Sequence, residues 1–190
     1  QDSIHSLKIV CRPVLQGNFN RMKSVVAASL VGKAAADYQC PGGPWVTHAG
    51  LRMTSTASAS CDVVKSEMQA RVAGTNGWYD QHNRGTYTLQ NYGGDISMSR
   101  LTGDGKYTDK MIFELSANGD GCNIEACSES QVTSVADGGT NYCELKLLYC
   151  GSAEGCKVAN ADFTNSGEKT EVRAGASTGM DNCLKVSVQV

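Results

Sequence analysis

Residues 85–115 read GTYTLQNYGGDISMSRLTGDGKYTDKMIFEL, and this stretch decides the fold class. Apolar and polar side chains alternate in three short segments, Thr86–Leu89, Ile96–Leu101 and Met111–Leu115. A period of two residues is typical of a strand with one buried face. Turn sequences rich in Gly, Asn and Asp separate the segments. The stretch therefore predicts three consecutive antiparallel strands.

Four later segments are predicted to extend this sheet. They are Ile124–Val135, Tyr142–Tyr149, Thr170–Arg173 and Leu184–Val190. The last one alternates most regularly, with every second residue apolar. We therefore expect an antiparallel sheet of about six to eight strands.

The part before residue 85 is predicted to be helical. Apolar residues spaced by three and four predict one helix over residues 18–37 and a second over Cys61–Val72, which ends at Gly74. Within the first, Met22–Ala36 has the outline of a secretory leader, but Gly32 and Lys33 interrupt its apolar stretch, so we interpret it as helix. Residues 41–60 are rich in Gly, Pro, Ser and Thr and indicate a connector.

These elements predict one α+β domain over residues 1–190. We expect two N-terminal helices packed on the antiparallel β-sheet and stapled to it by disulfides. Residues 1–74 would form the helical part, with the connector at 41–60, and residues 85–190 the sheet. A chain of 190 residues is long enough to bury a core of its own.

Nine cysteines indicate an oxidising compartment, either outside the cell or in an organelle lumen. We expect no metal and no cofactor, because no Cys-x2-Cys pair occurs and the chain has three His residues. Eight cysteines are assigned to disulfides, and these are Cys40, Cys61, Cys122, Cys127, Cys143, Cys150, Cys156 and Cys183. Cys11 is the candidate for a free or intermolecular thiol.

The spacing of these cysteines favours some pairs over others. Cys40 and Cys61 flank the connector, so a bond between them is predicted. A turn between Cys150 and Cys156 would let those two meet. Odd separations within an extended strand place side chains on opposite faces, which argues against Cys143–Cys150 and Cys122–Cys127 pairs.

Charge limits the kinds of partner. The net charge is −2, so the whole chain lacks the basic character of a nucleic-acid-binding protein, and no apolar run is long enough to span a membrane. Residues 1–36 carry a net charge of +4, whereas residues 112–172 carry −7. This contrast reflects either solvated faces or contact between the basic segment and an acidic flank of another copy or partner.

The densest group of aromatic and polar residues lies between positions 78 and 87. A loop here could bind a sugar, peptide or small ligand through Trp78, Tyr79, Asp80, His82, Arg84 and Tyr87. Alternatively, it is a helix-to-sheet junction whose Trp fills the core. Catalysis by His82 would require a nucleophile nearby, and the sequence has no Gly-x-Ser-x-Gly motif.

Part of the chain, at most residues 60–150, resembles small cysteine-bearing secreted proteins of algal and other protists. The segments that carry this resemblance are Arg84–Tyr87, Thr102–Lys110, Phe113–Leu115, Cys122–Val132, Asn141–Cys143 and Leu148–Cys150. The resemblance implies a compartment and a broad source. It transfers no activity and no functional residue.

Three functions follow as expectations. The first is a non-enzymatic structural or interaction subunit of an extracellular or lumenal assembly, whose partners are copies of itself or other subunits. The second is a free secreted binding module for carbohydrate, peptide or small ligand. The third is a secreted hydrolase that uses His82.

Overall fold

The computed structural model describes residue 40 and residues 48–134 and 136–185. These residues form six strands and three α-helices. In chain order they are β1 (Gly50–Ala57), α1 (Cys61–Val72), β2 (Thr86–Gln90), β3 (Ile96–Leu101), β4 (Thr108–Asn118), β5 (Gly121–Ser130), α2 (Thr140–Lys146), β6 (Asn165–Arg173) and α3 (Met180–Cys183).

The six strands make one antiparallel sheet in the order β2-β3-β4-β5-β1-β6. Strands β2 to β5 follow one another as a meander, as the alternation in residues 86–115 predicts. Strand β1, although it comes first, pairs with β5 on one side and β6 on the other. The sheet is thus completed by contacts between residues distant in sequence.

One face of the sheet carries the core. In register across it, Met98 of β3 lies opposite Met111 of β4, and Phe113 lies opposite Ala126 of β5. Helices α1 and α2 cover this face, and their Val64, Met68 and Leu145 side chains are fully buried in the same cluster. The other face presents polar side chains, because residues alternate across the sheet.

Local sequence explains where two of the helices begin. At α1, Ser60 is extended and Asp62 lies in the first turn, where a negative charge is favourable; the helix is followed by Gly74 in the left-handed conformation. Before α2, the Asp137 carboxylate accepts hydrogen bonds from the backbone N–H groups of Gly139 and Asn141. These bonds satisfy donors that an α-helix leaves free at its N-terminus.

The predicted fold class is wrong in the placement of its helices. Instead of two N-terminal helices packed on the sheet, the described helices are short, and they follow β1, β5 and β6. The helix predicted over residues 18–37 lies outside the described residues. Helix α1 does form at Cys61–Val72, as predicted.

The region expected to be a connector contains β1. Leu51, Met53 and Ser55 point into the core and are buried, whereas Thr54 is exposed. The alternation of apolar and polar residues is present in the sequence. It is hard to recognise because small Ser and Thr side chains lie on both faces of the strand, and these residues are also typical of loops.

One predicted strand is wrong, and most of another lies outside the described residues. Residues 142–149 contain most of α2 instead, because a short apolar run fits a buried helix as well as a buried strand. Leu184, which begins the last predicted strand, directly follows α3. Residues 186–190 lie outside the described part of the chain.

Eight cysteines lie in four pairs at bonding distance: Cys40–Cys127, Cys61–Cys122, Cys143–Cys183 and Cys150–Cys156. The Cys150–Cys156 prediction is confirmed, and the predicted Cys40–Cys61 bond is wrong. Each of those two cysteines bonds to β5 instead, Cys61 on the helix-covered face and Cys40 on the other. Cys11 lies outside the described residues.

Among the described residues, the helices are too short or too polar to cross a membrane.

Candidate functional site

The loop predicted to bind a ligand points two of its aromatic rings inward. Trp78 and Tyr87 are buried, with ring centroids 6.0 Å apart. The Trp78 indole N–H donates to the carbonyl of Lys157 (2.9 Å), and the Tyr87 hydroxyl donates to the carbonyl of Glu144 (3.2 Å). These two residues therefore join β2 and its preceding loop to the core.

Asp80 is also buried, where it forms an ion pair with Arg100 of β3. Its Oδ2 accepts from the guanidinium Nε at 2.7 Å and Nη2 at 2.5 Å, while Oδ1 accepts from the backbone N–H of His82 at 2.7 Å. The Asn83 side-chain oxygen accepts from Arg100 as well. Gly85 passes so close to this guanidinium that a Cβ there would collide with it. The loop is thus folded around Arg100.

Arg100 faces a second carboxyl group, Glu144 of α2, at 3.4 Å. Glu144 also contacts the hydroxyl of Ser128, and the Asp109 carboxyl group lies close enough to influence its pKa. Burial raises the pKa of Glu144 well above its ordinary value, and the negative charge of Asp109 raises it further. Burial likewise raises the pKa of Asp109. One buried guanidinium therefore forms ion pairs with two carboxyl groups, those of Asp80 and Glu144.

His82, the candidate for acid–base chemistry, lies half-buried between α2 and α3. Its Nδ1 is 3.0 Å from the Asn182 carbonyl, to which it donates, and its Nε2 is 3.3 Å from the Thr140 hydroxyl oxygen. Both ring nitrogens therefore link the loop to these helices. Hydrolysis by this residue stays a prediction.

Two of the proposed ligand residues do lie at the surface. The Arg84 guanidinium carbon is 3.8 Å from the centroid of the half-buried Tyr79 ring. Lys157, which follows the Cys150–Cys156 loop, brings its Nζ to 4.9 Å from the same centroid. The three side chains form a surface group that we call the cationic cluster.

Sequence reasoning missed Arg100, Glu144 and Lys157. A signal for Arg100 was present, because Ile96, Met98 and Arg100 alternate onto the core face of one strand. A buried arginine there requires acidic partners. Nothing in the spacing of Glu144 or Lys157 connects them to residues 78–87.

The two edges of the sheet differ in chemistry. Edge strand β6 carries Glu168, Lys169, Glu171 and Arg173, and it bulges against β1 near Gly167, which has a φ of +66°. Charges and bulges discourage another strand from pairing. Edge strand β2 is Thr-Tyr-Thr-Leu-Gln, without charge or bulge, and Leu89 within it is 48% exposed.

A shallow polar depression of about 180 Å³ lies beside β2. It is lined by the β2–β3 hairpin and by Gln69 of α1. In the described part of the chain, the His, Cys, Asp and Glu side chains form no group of three or more that could hold a metal ion.

Comparisons of the chain with protein-family models, with curated proteins and with solved structures found no match. The resemblance to cysteine-bearing secreted proteins of protists stays a prediction.

Proposed function

We propose that the chain is a non-enzymatic interaction subunit of an extracellular or lumenal assembly, in which copies associate through strand β2. The proposal is carried by the edge of this strand, which is uncharged and has no partner among the described strands. Its partner is β2 of a second copy, so that two sheets become continuous across a twofold axis.

The disulfides support the compartment. Three of the four cysteine pairs at bonding distance tie α1, α2, α3 and residue 40 to the sheet or to one another, and the fourth closes the loop from Cys150 to Cys156. Such bonds persist in oxidising surroundings and are rare where thiols are kept reduced.

The contrast between the edges supports the contact. Five residues are a typical strand length, and an unpaired strand of that length offers backbone donors and acceptors to another strand. Two copies of β2 would meet without like-charge repulsion. The charged side chains of β6 disfavour the same contact at the other edge.

Exposed apolar side chains surround the β2 edge. Leu89 lies on β2, Leu101 lies opposite Thr86 on β3, and Tyr92 and Tyr107 lie in the two following turns. All four are at least 36% exposed. Their burial would add to the backbone hydrogen bonds, which alone cover little of the area that a stable dimer needs.

The test is the molar mass of the disulfide-intact full chain by sedimentation equilibrium. We expect a dimer or larger species of the 20.1 kDa chain. Leu89→Lys places a charge on the edge and should shift the equilibrium to monomer, with a dissociation constant at least about tenfold higher.

Val172→Lys on β6 is the matched control, because Val172 is 49% exposed and also lies on an edge strand. It should leave the association unchanged. A wild-type chain that stays monomeric at high micromolar concentration, or equal effects of the two substitutions, would contradict the proposal.

A further inference from the structure

The cationic cluster is a second feature that points to a ligand, independently of strand β2. Arg84 and Lys157 both contact the Tyr79 ring, so their charges are separated by no more than the sum of their distances to its centroid, 3.8 and 4.9 Å. Ring faces attract cations, which explains why each lies there. The ring does not neutralise either charge.

Neither cation has an acidic partner among the residues that the structure describes. No carboxylate within the described part of the chain lies within ion-pair distance of Arg84 or Lys157. The chain has 19 acidic residues, and its segment 112–172, to which Lys157 belongs, has a net charge of −7. Two adjacent positive charges repel each other, and an anion that contacts both would relieve this repulsion.

The backbone beside Lys157 is held in place. The side-chain oxygen of Gln81 accepts from the Lys157 N–H at 2.7 Å, and Trp78 donates to the Lys157 carbonyl. The Cys150–Cys156 bond ties down the preceding residue. Little conformational freedom of this backbone remains to be lost when a ligand binds.

The backbone beside Arg84 is equally constrained. Arg84 adopts a φ of +61°, which is uncommon for a residue other than Gly, and its N–H donates to the Asp80 carbonyl at 3.2 Å. Asp80, the first residue of this turn, is itself held in place by its buried ion pair with Arg100. A buried ion pair thus supports an unfavourable backbone conformation that presents an exposed arginine.

We propose that Tyr79, Arg84 and Lys157 bind the oxyanion groups of an acidic polysaccharide. Arg84 would engage a sulfate or carboxylate by paired N–H donors, Lys157 would act as a point charge, and the exposed part of Tyr79 would pack against a sugar ring. A polymer fits this site because Arg84 is exposed and Lys157 and Tyr79 are half-buried, so repeated anions can reach both cations from solvent. The proposal does not depend on self-association.

The test measures binding of the disulfide-intact chain to immobilised dextran sulfate and polygalacturonate at physiological salt. These two polymers distinguish sulfate from carboxylate as the preferred group. Binding to at least one of them, with none to uncharged dextran, is expected. Lys157→Gln and Arg84→Asn should each weaken it about tenfold, as expected for the loss of one charge-assisted contact.

Asn is chosen at position 84 because it tolerates a positive φ, and Lys157→Gln keeps both backbone hydrogen bonds. Lys110→Gln is the matched control, since Lys110 is a cation that lies over a single ring, that of Tyr92. This substitution should change binding less than twofold.

An equal loss of binding in this control, no binding to either acidic polymer, or equally tight binding to polyglutamate would overturn the proposal. Leu89→Lys should bind both polymers as the wild type does, so failure here is distinct from failure of assembly.

Discussion

At the scale of single residues, Glu144 has the least ordinary surroundings. It is fully buried among Arg100, Asp109 and Ser128. Ser128 has one hydroxyl proton, and it contacts both Glu144 and the side-chain oxygen of Asn141, the latter at 2.8 Å. If the Ser128 hydroxyl donates its proton to Asn141, the hydrogen bond between Ser128 and Glu144 needs a proton from Glu144. The negative charge of Asp109 beside Glu144 also favours a proton on one of the two carboxyl groups.

The other charged groups around Glu144 do not remove this need for a proton. Arg100 is positive, but Asp80 already occupies two of its N–H groups. Tyr87 from β2 donates to the backbone of Glu144, and Asp137 before α2 lies near enough to add negative charge around Asp109. The pKa values of Glu144 and Asp109 are both raised, so we expect this pair to hold one proton in the folded chain.

We expect the free energy of unfolding to decrease as the pH rises above the ordinary pKa of a glutamate side chain. The pKa of Glu144 is raised in the folded protein, whereas in the unfolded chain it returns to its ordinary value of 4.5. This contribution is fully present below the ordinary pKa and is lost as the pH rises through the folded one. The slope should reach up to about 1.4 kcal/mol per pH unit, as measured by urea unfolding.

Glu144→Gln should flatten this slope, because an amide can accept from Arg100 and donate to Asp109 without titrating. Glu171→Gln, at an exposed position of β6, is the control and should keep this slope.

The buried Glu67 does not contribute to the slope in this pH range. Burial acts to raise its pKa, but bonds from three backbone N–H groups and Arg71 lower it overall. Its contribution is therefore lost only in more acidic solution. Equal slopes in wild type and Glu144→Gln would exclude the shared proton.

At the scale of elements, the helices are held to the sheet and to one another by covalent as well as apolar contacts. Cys61, the first residue of α1, bonds to Cys122 on β5, and α2 bonds to α3 through Cys143 and Cys183. A helix of 12 residues or fewer is marginal alone in water, so these contacts decide whether it forms.

Removing the disulfide that closes the longer loop should cost more stability. The Cys61–Cys122 bond joins residues 61 positions apart, and the Cys150–Cys156 bond joins residues 6 apart. Loop-closure entropy predicts losses of about 4 kcal/mol for Cys61→Ala with Cys122→Ala and about 2 kcal/mol for Cys150→Ala with Cys156→Ala. Chemical unfolding of the two double variants measures the difference, and a larger loss for the short loop would contradict this explanation.

At the scale of the whole molecule, the sheet is asymmetric. Strands β3, β4, β5 and β1 have neighbours on both sides, whereas β2 and β6 have one each among the described strands. Charge and a bulge protect one edge, and the other is uncharged. In the proposed assembly, copies therefore add in one direction, at the β2 edge.

Hydrogen exchange should reveal that direction. In dilute solution, the β2 amides should exchange faster than those of β4 and β5, because an edge strand opens without disrupting the core. At concentrations where copies associate, the exchange of β2 should slow at least about tenfold while that of β6 stays unchanged. Mass spectrometry of peptides from each strand measures this. Protection gained on β6 instead of β2 would mean that the proposed edge is the wrong one.

Several features were accessible from the sequence alone. The period of two in residues 86–115 is a local property of the chain, and so are the spacing and termination of the helix over Cys61–Val72; both elements are present. The number of cysteines predicted disulfides, since sulfur content does not depend on the fold. The short loop between Cys150 and Cys156 also lets those two meet whatever surrounds them.

Tertiary structure alone decided the rest, because the deciding contacts join residues far apart in sequence. Strand β1 is central because β5 and β6 pair with it, and its own Ser and Thr residues do not distinguish a strand from a loop. Cys40 bonds to Cys127 rather than Cys61 for the same reason. The loop at 78–87 divides into buried and exposed residues because Arg100 holds Asp80 inside, and Lys157, from 78 residues further on than Tyr79, completes the cationic cluster. The local sequence pattern determines the periodicity of each element. Strand pairing and side-chain burial depend instead on the distant residues that remove each group from contact with water.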